Sequence, residues 1–154
     1  MLAPEEFTVG SFASAAVGSL ILPRTKYEAI VLVGVLQDVA TAVFLSEEHQ
    51  FHCMSTEGAQ WAGLIIPNVT VEVDEFSAID MSSGSAPLGS IVRSADHLAV
   101  LAKPERSRWG AEVSLIRNLP AIQSGSVGFT RWQVVLGTGD TKRVLHKVQL
   151  PQSS

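Results

Sequence analysis

Glu47, Glu48, His49, His52 and Cys53 form the densest group of potential metal ligands and acid–base side chains in the chain. Carboxylates, imidazoles and thiolates are the donors of zinc sites, which draw on three or four of them at once. The spacing works against that use. Side chains alternate along an extended backbone, so His49 and His52 are expected on opposite faces unless a turn or helix intervenes. Asp96-His97 and His146 are the remaining donors, and no second cluster completes a set. The reading is no metal, no cofactor, and a solvated turn that runs into a small buried cysteine.

As a nucleophile, Cys53 would need an accessible, electropositive setting with a base beside it. His52 projects away from it on a strand, and His97 or His146 reaches it only through the fold. The single cysteine is therefore expected as inert core. There is no Gly-x-Ser-x-Gly elbow, phosphate-cradling glycine loop or His-Glu-x-x-His helix. Gly137 to Asp140 reads as a turn, and Asp74, Glu75 and Asp80 lack calcium-loop spacing. No catalytic residue is assigned.

A second group pairs cations with aromatics, in Arg106-Ser107-Arg108-Trp109 and Thr130-Arg131-Trp132. Such pairs can hold a nucleic-acid backbone and stack a base. A pI of about 5.5 and an aromatic content of 6% argue against a polyanion partner. Charge is nonetheless uneven. Residues 1–80 carry eleven acids and two bases, residues 81–154 four acids and nine bases. Pairing of the two halves within or between subunits is the expected outlet. If the strands close into a barrel, Trp61, Trp109 and Trp132 are the candidate walls of a ligand pocket in its mouth. Arg93, His97, Arg131 and His146 are its candidate polar groups.

The elements that must position these residues are strands. In the stretch from Trp61 to Phe76, Val69, Val71 and Val73 alternate with Thr70, Glu72 and Asp74, the period of a strand with one dry face. Leu64 to Ile66 is apolar on both faces, and Pro67-Asn68 marks a bend between the two parts. Tyr27 to Leu36 reads as a central, doubly covered strand in which Gly34 signals a bulge or a close backbone approach. Gln37-Asp38 turns the chain into a strand over Val39–Leu45. Phe7 to Leu22 reads as irregular structure before a strand at Ser19–Leu22. Residues 49–55, 90–93, 98–103, 111–117, 129–136 and 144–150 are further strands. Residues 98–103 also suit a helix capped by Ser94, but the hairpin loop at Pro104–Gly110 favours the strand. The fold class is all-β and antiparallel, a barrel or two-sheet sandwich of eight to ten short strands with at most one or two short helices.

Shifting the chain by 71 positions lays Gly18-Ser19-Leu20-Ile21 on Gly89-Ser90-Ile91-Val92 and Trp61 on Trp132. An internal repeat over 18–80 and 89–150, within one domain spanning 1–154, would make two pseudo-symmetric halves.

Low charge (17%) at 46% hydrophobic residues suits a chain that hides surface in an assembly. The acidic N-terminus lacks the positive charge of a secretory signal, and Ser11–Leu22 is too short and polar to span a bilayer. With one cysteine, the expectation is a cytoplasmic protein with no membrane association. Function is expected to be non-catalytic association with another protein or with itself, as a homodimer. A small-molecule-binding protein or small enzyme is the alternative.

Overall fold

The computed structural model describes residues 2–25, 28–57, 62–81, 86–122 and 125–151, and apart from single 3-10 turns their regular structure is all strand. In chain order the strands are β1 (Thr8–Ser11), β2 (Leu20–Leu22), β3 (Val31–Leu36), β4 (Val39–Phe44), β5 (His52–Ser55), β6 (Ala62–Ile66) and β7 (Thr70–Val73). They continue as β8 (Ala78–Asp80), β9 (Ile91–Ser94), β10 (His97–Pro104), β11 (Ala111–Ile116), β12 (Ser126–Phe129), β13 (Arg131–Leu136) and β14 (Arg143–Gln149).

Strands β3, β4, β5, β10 and β11 close into a five-stranded barrel, antiparallel except for the β5–β10 pair. Their apolar residues account for this. Leu32, Val43, Val100 and Val113 are at most 1% exposed and pack inside, each worth roughly 1.5–3 kcal/mol of transfer free energy. The seam between β3 and β11 is one bridge, Val35 opposite Ser114. It closes on Gly34, where a Cβ would stand 2.6 Å from the Ser114 carbonyl oxygen, so the close approach read from the sequence is real.

From the barrel, β2, β6 and β1 extend the sheet on one side and β9, β12 and β8 on the other. A separate sheet of β14, β13 and β7 packs Trp132, Val134 and Val148 onto the same core. A smaller core of Phe12, Ile21, Val31, Val33, Ala42 and Ile65 lies on the opposite face of β2 and β3.

Hydrogen bonds recur between the two extensions. Gly18 N–H donates to Val33 and Val33 N–H to Ser19; Gly89 N–H donates to Leu101 and Leu101 N–H to Ser90. Both glycines have φ of +91°. The 3-10 turn Pro4–Glu6 precedes β1 as Glu75–Ser77 precedes β8, again 71 residues apart. β6 flanks β2 as β12 flanks β9, and β7 pairs with β13 with Val71 opposite Val134.

Residues 98–103 are strand, as preferred from the sequence, because Leu98, Ala99, Val100 and Ala102 are buried along a ladder with β9 and β11. Two expectations need amending. The stretch after Trp61 is two strands in different sheets, since Asn68 takes φ of +59° beside Pro67 and redirects the chain. Strand number is fourteen among the described residues rather than eight to ten. β1, β8 and β12, of three or four residues each, are too short to show a period.

Candidate functional site

β14 is an edge strand with a cleft running along its free side. Leu150 N–H donates to Thr130, and the register Trp132–Val148 and Val134–His146 continues that ladder. In an antiparallel pair the backbone groups of alternate residues turn toward and away from the partner. Lys147 and Gln149 therefore present their N–H and C=O groups outward, and among the described residues no backbone group meets them.

The cleft these groups border has a volume of about 680 Å³. Its floor is apolar, from Leu45, Phe51, Leu88, Val148 and Leu150, and its far wall is the turn Ser46–Gln50. The turn is held firmly. Leu45 N–H bonds to Ile30, Phe51 N–H to Phe44, and Lys103 N–H to the Phe51 carbonyl. Gln50 Nε2 donates to the Leu45 carbonyl over 3.1 Å, and His146 bonds to the same residue's backbone. Burial holds His146 below the usual imidazole range, with the bond to Leu45 opposing the shift in part. A free strand edge, an apolar floor and a fixed opposite wall are the parts of a strand-addition site.

The residues expected to share one pocket are distributed over the molecule. Trp61 lies outside the described residues. Trp132 is buried, its indole N–H donating to Gly89 over 2.7 Å. Trp109 is 80% exposed on the β10–β11 loop. Arg93 ties the β9–β10 hairpin to a loop, through the carbonyls of Ala95 and Pro120. Arg131 pairs with Asp74 over 3.0 Å on the outer face of the small sheet. His97 stands at the barrel seam, 2.9 Å from Ser94 Oγ, 3.5 Å from Glu112 and 3.7 Å from Asp96. It lines a polar cleft of about 380 Å³ with Arg117 and Ser114. Of the six that are described, His146 borders the β14 cleft and the other five do not line it.

Alternation along β14 also fails once. A register shift between Val134 and Val135 leaves Val144 44% exposed, although Val148 is buried.

His49 and His52 do not diverge as an extended chain requires. Positive φ at Glu47 and Phe51 curls the chain and brings the rings within 5.7 Å. Among the described residues, no three His, Cys, Asp or Glu side chains gather closely enough to hold a metal ion. Cys53 is buried, and desolvation pushes its thiol up to about 11. Opposite charges of the two halves do meet, in Arg131–Asp74, Lys142–Glu72 and Arg143–Glu6.

No described helix is long and apolar enough to cross a membrane. Fold and cleft together define an all-β barrel protein carrying an accessory three-stranded sheet with an open edge. Residues 9–154 match the family model described as "Uncharacterised protein y4lG", and the chain belongs to that family. It is 51% identical over 148 residues to the "Uncharacterized protein y4lG" of Sinorhizobium fredii (strain NBRC 101917 / NGR234), an alignment covering 94% of this chain and 91% of the relative. No solved structure matches the chain.

Proposed function

We propose that the protein is a non-catalytic association module that takes an extended segment of another protein as an added strand beside β14. The observation that carries this reading is the cleft of about 680 Å³ alongside the outward backbone groups of Lys147 and Gln149. Main-chain bonds to the edge supply affinity, and every second side chain of the segment rests on Leu45, Phe51 and Leu88. The turn Ser46–Gln50 stands across the cleft from β14. A lone segment fits between the two walls more readily than β14 of a second copy, which brings β13 behind it. A single buried cysteine suits a reducing, cytoplasmic setting.

Panning a random heptapeptide library on the immobilised protein tests the reading. Binders are expected to alternate apolar and polar residues and to be lost with Lys147→Pro, which removes an outward donor from an exposed edge position. Binders indifferent to that change, or none at all, would overturn it. A homodimer in sedimentation velocity that Lys147→Pro dissolves would assign the edge to a second copy instead.

A further inference from the structure

A second cleft, of about 400 Å³, opens beside the first and shares Pro151 with it; its other walls include Phe76, Ala78, Ile79 and Pro87. We infer that this cleft is an anchor pocket for a tyrosine side chain of the segment that pairs with β14, an inference that rests on the strand-addition reading.

Two observations choose that occupant. The first is Phe76, 83% exposed yet on a pinned turn. Its N–H donates to Asp74 Oδ1 over 2.9 Å, and Asp74 is itself paired with Arg131. Next to it, the buried Ser77 hydroxyl donates to the Asp74 carbonyl over 2.7 Å and accepts from Arg131 N–H over 3.1 Å. With the backbone of its turn already fixed, covering this large aromatic costs only the freedom of its own side chain, as suits an interface anchor. The second is Thr130, which lines the cleft, is 1% exposed, and has a hydroxyl with no hydrogen-bond partner. Burying such a group alone is unfavourable. A cleft that sets Phe76, Ile79 and Pro87 beside one unanswered hydroxyl suits a ring that carries one hydroxyl of its own. Pro151 follows directly on β14 and Leu150, so an antiparallel segment that has passed Gln149 reaches this cleft with the residues N-terminal to its paired stretch.

The test uses p-cresol and toluene, the side-chain analogues of tyrosine and phenylalanine, with titrations followed by protein NMR. On the native protein p-cresol is expected to bind about tenfold more tightly than toluene, the worth of one hydrogen bond. Thr130→Val should erase that preference while leaving toluene binding unchanged, and Phe76→Ala should weaken both ligands. Lys147→Pro should leave both titrations as they were while abolishing capture of the selected peptides. Absence of p-cresol binding, or a preference that survives Thr130→Val, would overturn the anchor pocket. Peptide capture that survives Lys147→Pro would overturn strand addition and leave the p-cresol result standing by itself.

Discussion

Trp132 on β13 donates its indole N–H to the carbonyl of Gly89, the residue that opens the approach to β9, and so ties the small sheet to the barrel through a buried bond of 2.7 Å. Phe51 packs against the same glycine, where a Cβ would stand 2.5 Å from its ring. One point thus joins the barrel, the small sheet and the floor of the β14 cleft. Trp132→Phe strands a buried carbonyl and is expected to cost about 1–3 kcal/mol in denaturant unfolding.

Gly18 and Gly89 allow a paired comparison, because both have φ of +91°. A Cβ on Gly18 meets nothing within 4 Å, whereas one on Gly89 collides with the Phe51 ring. Gly18→Ala should therefore cost only the left-handed strain, about 1–2 kcal/mol. Gly89→Ala should add roughly 1–3 kcal/mol of overpacking. Equal melting temperatures for the two variants would refute the assigned packing.

His146 gives the fold a pH dependence of defined sign. Burial lowers its folded pKa below the ordinary imidazole range, so the unfolded chain takes up the proton first as pH falls. The stability it contributes is complete above the unfolded pKa and is lost as pH drops from there through the folded value. In urea unfolding between pH 8 and 5, His146→Gln should flatten the acid side of the profile relative to the native chain.

Cys53, with its thiol pushed up to about 11 and its side chain buried, should resist alkylation by iodoacetamide in the folded state at pH 8. Reaction is expected at the rate of unfolding, and full labelling only in denaturant. Rapid labelling of the native protein would show that β5 opens locally.

Much of this architecture is legible in the sequence, where long apolar or alternating runs leave only one period. Val31–Leu36 and Val39–Phe44 fall within such runs, and Gly34 marks the tight seam. Short strands such as Ala78–Asp80 carry no period and emerge only from their partners. The Gly-Ser pairs at 18 and 89 make matching backbone hydrogen bonds, to Val33 and to Leu101. Site residues were harder to read. Tryptophan, arginine and histidine announce chemistry by type, yet Trp132, Arg93 and Arg131 are each engaged by the protein itself. The β14 cleft depends on backbone groups and ordinary aliphatic side chains, and residue type carries no trace of which strand is left at an edge.

The most direct measurement is amide hydrogen exchange at Lys147 and Gln149, with and without a panned peptide. Strand addition predicts rapid exchange of both amides in the free protein and at least roughly tenfold slowing on binding, while Val148, already paired to β13, changes little. A bound peptide that leaves Lys147 and Gln149 exchanging freely would contradict the account.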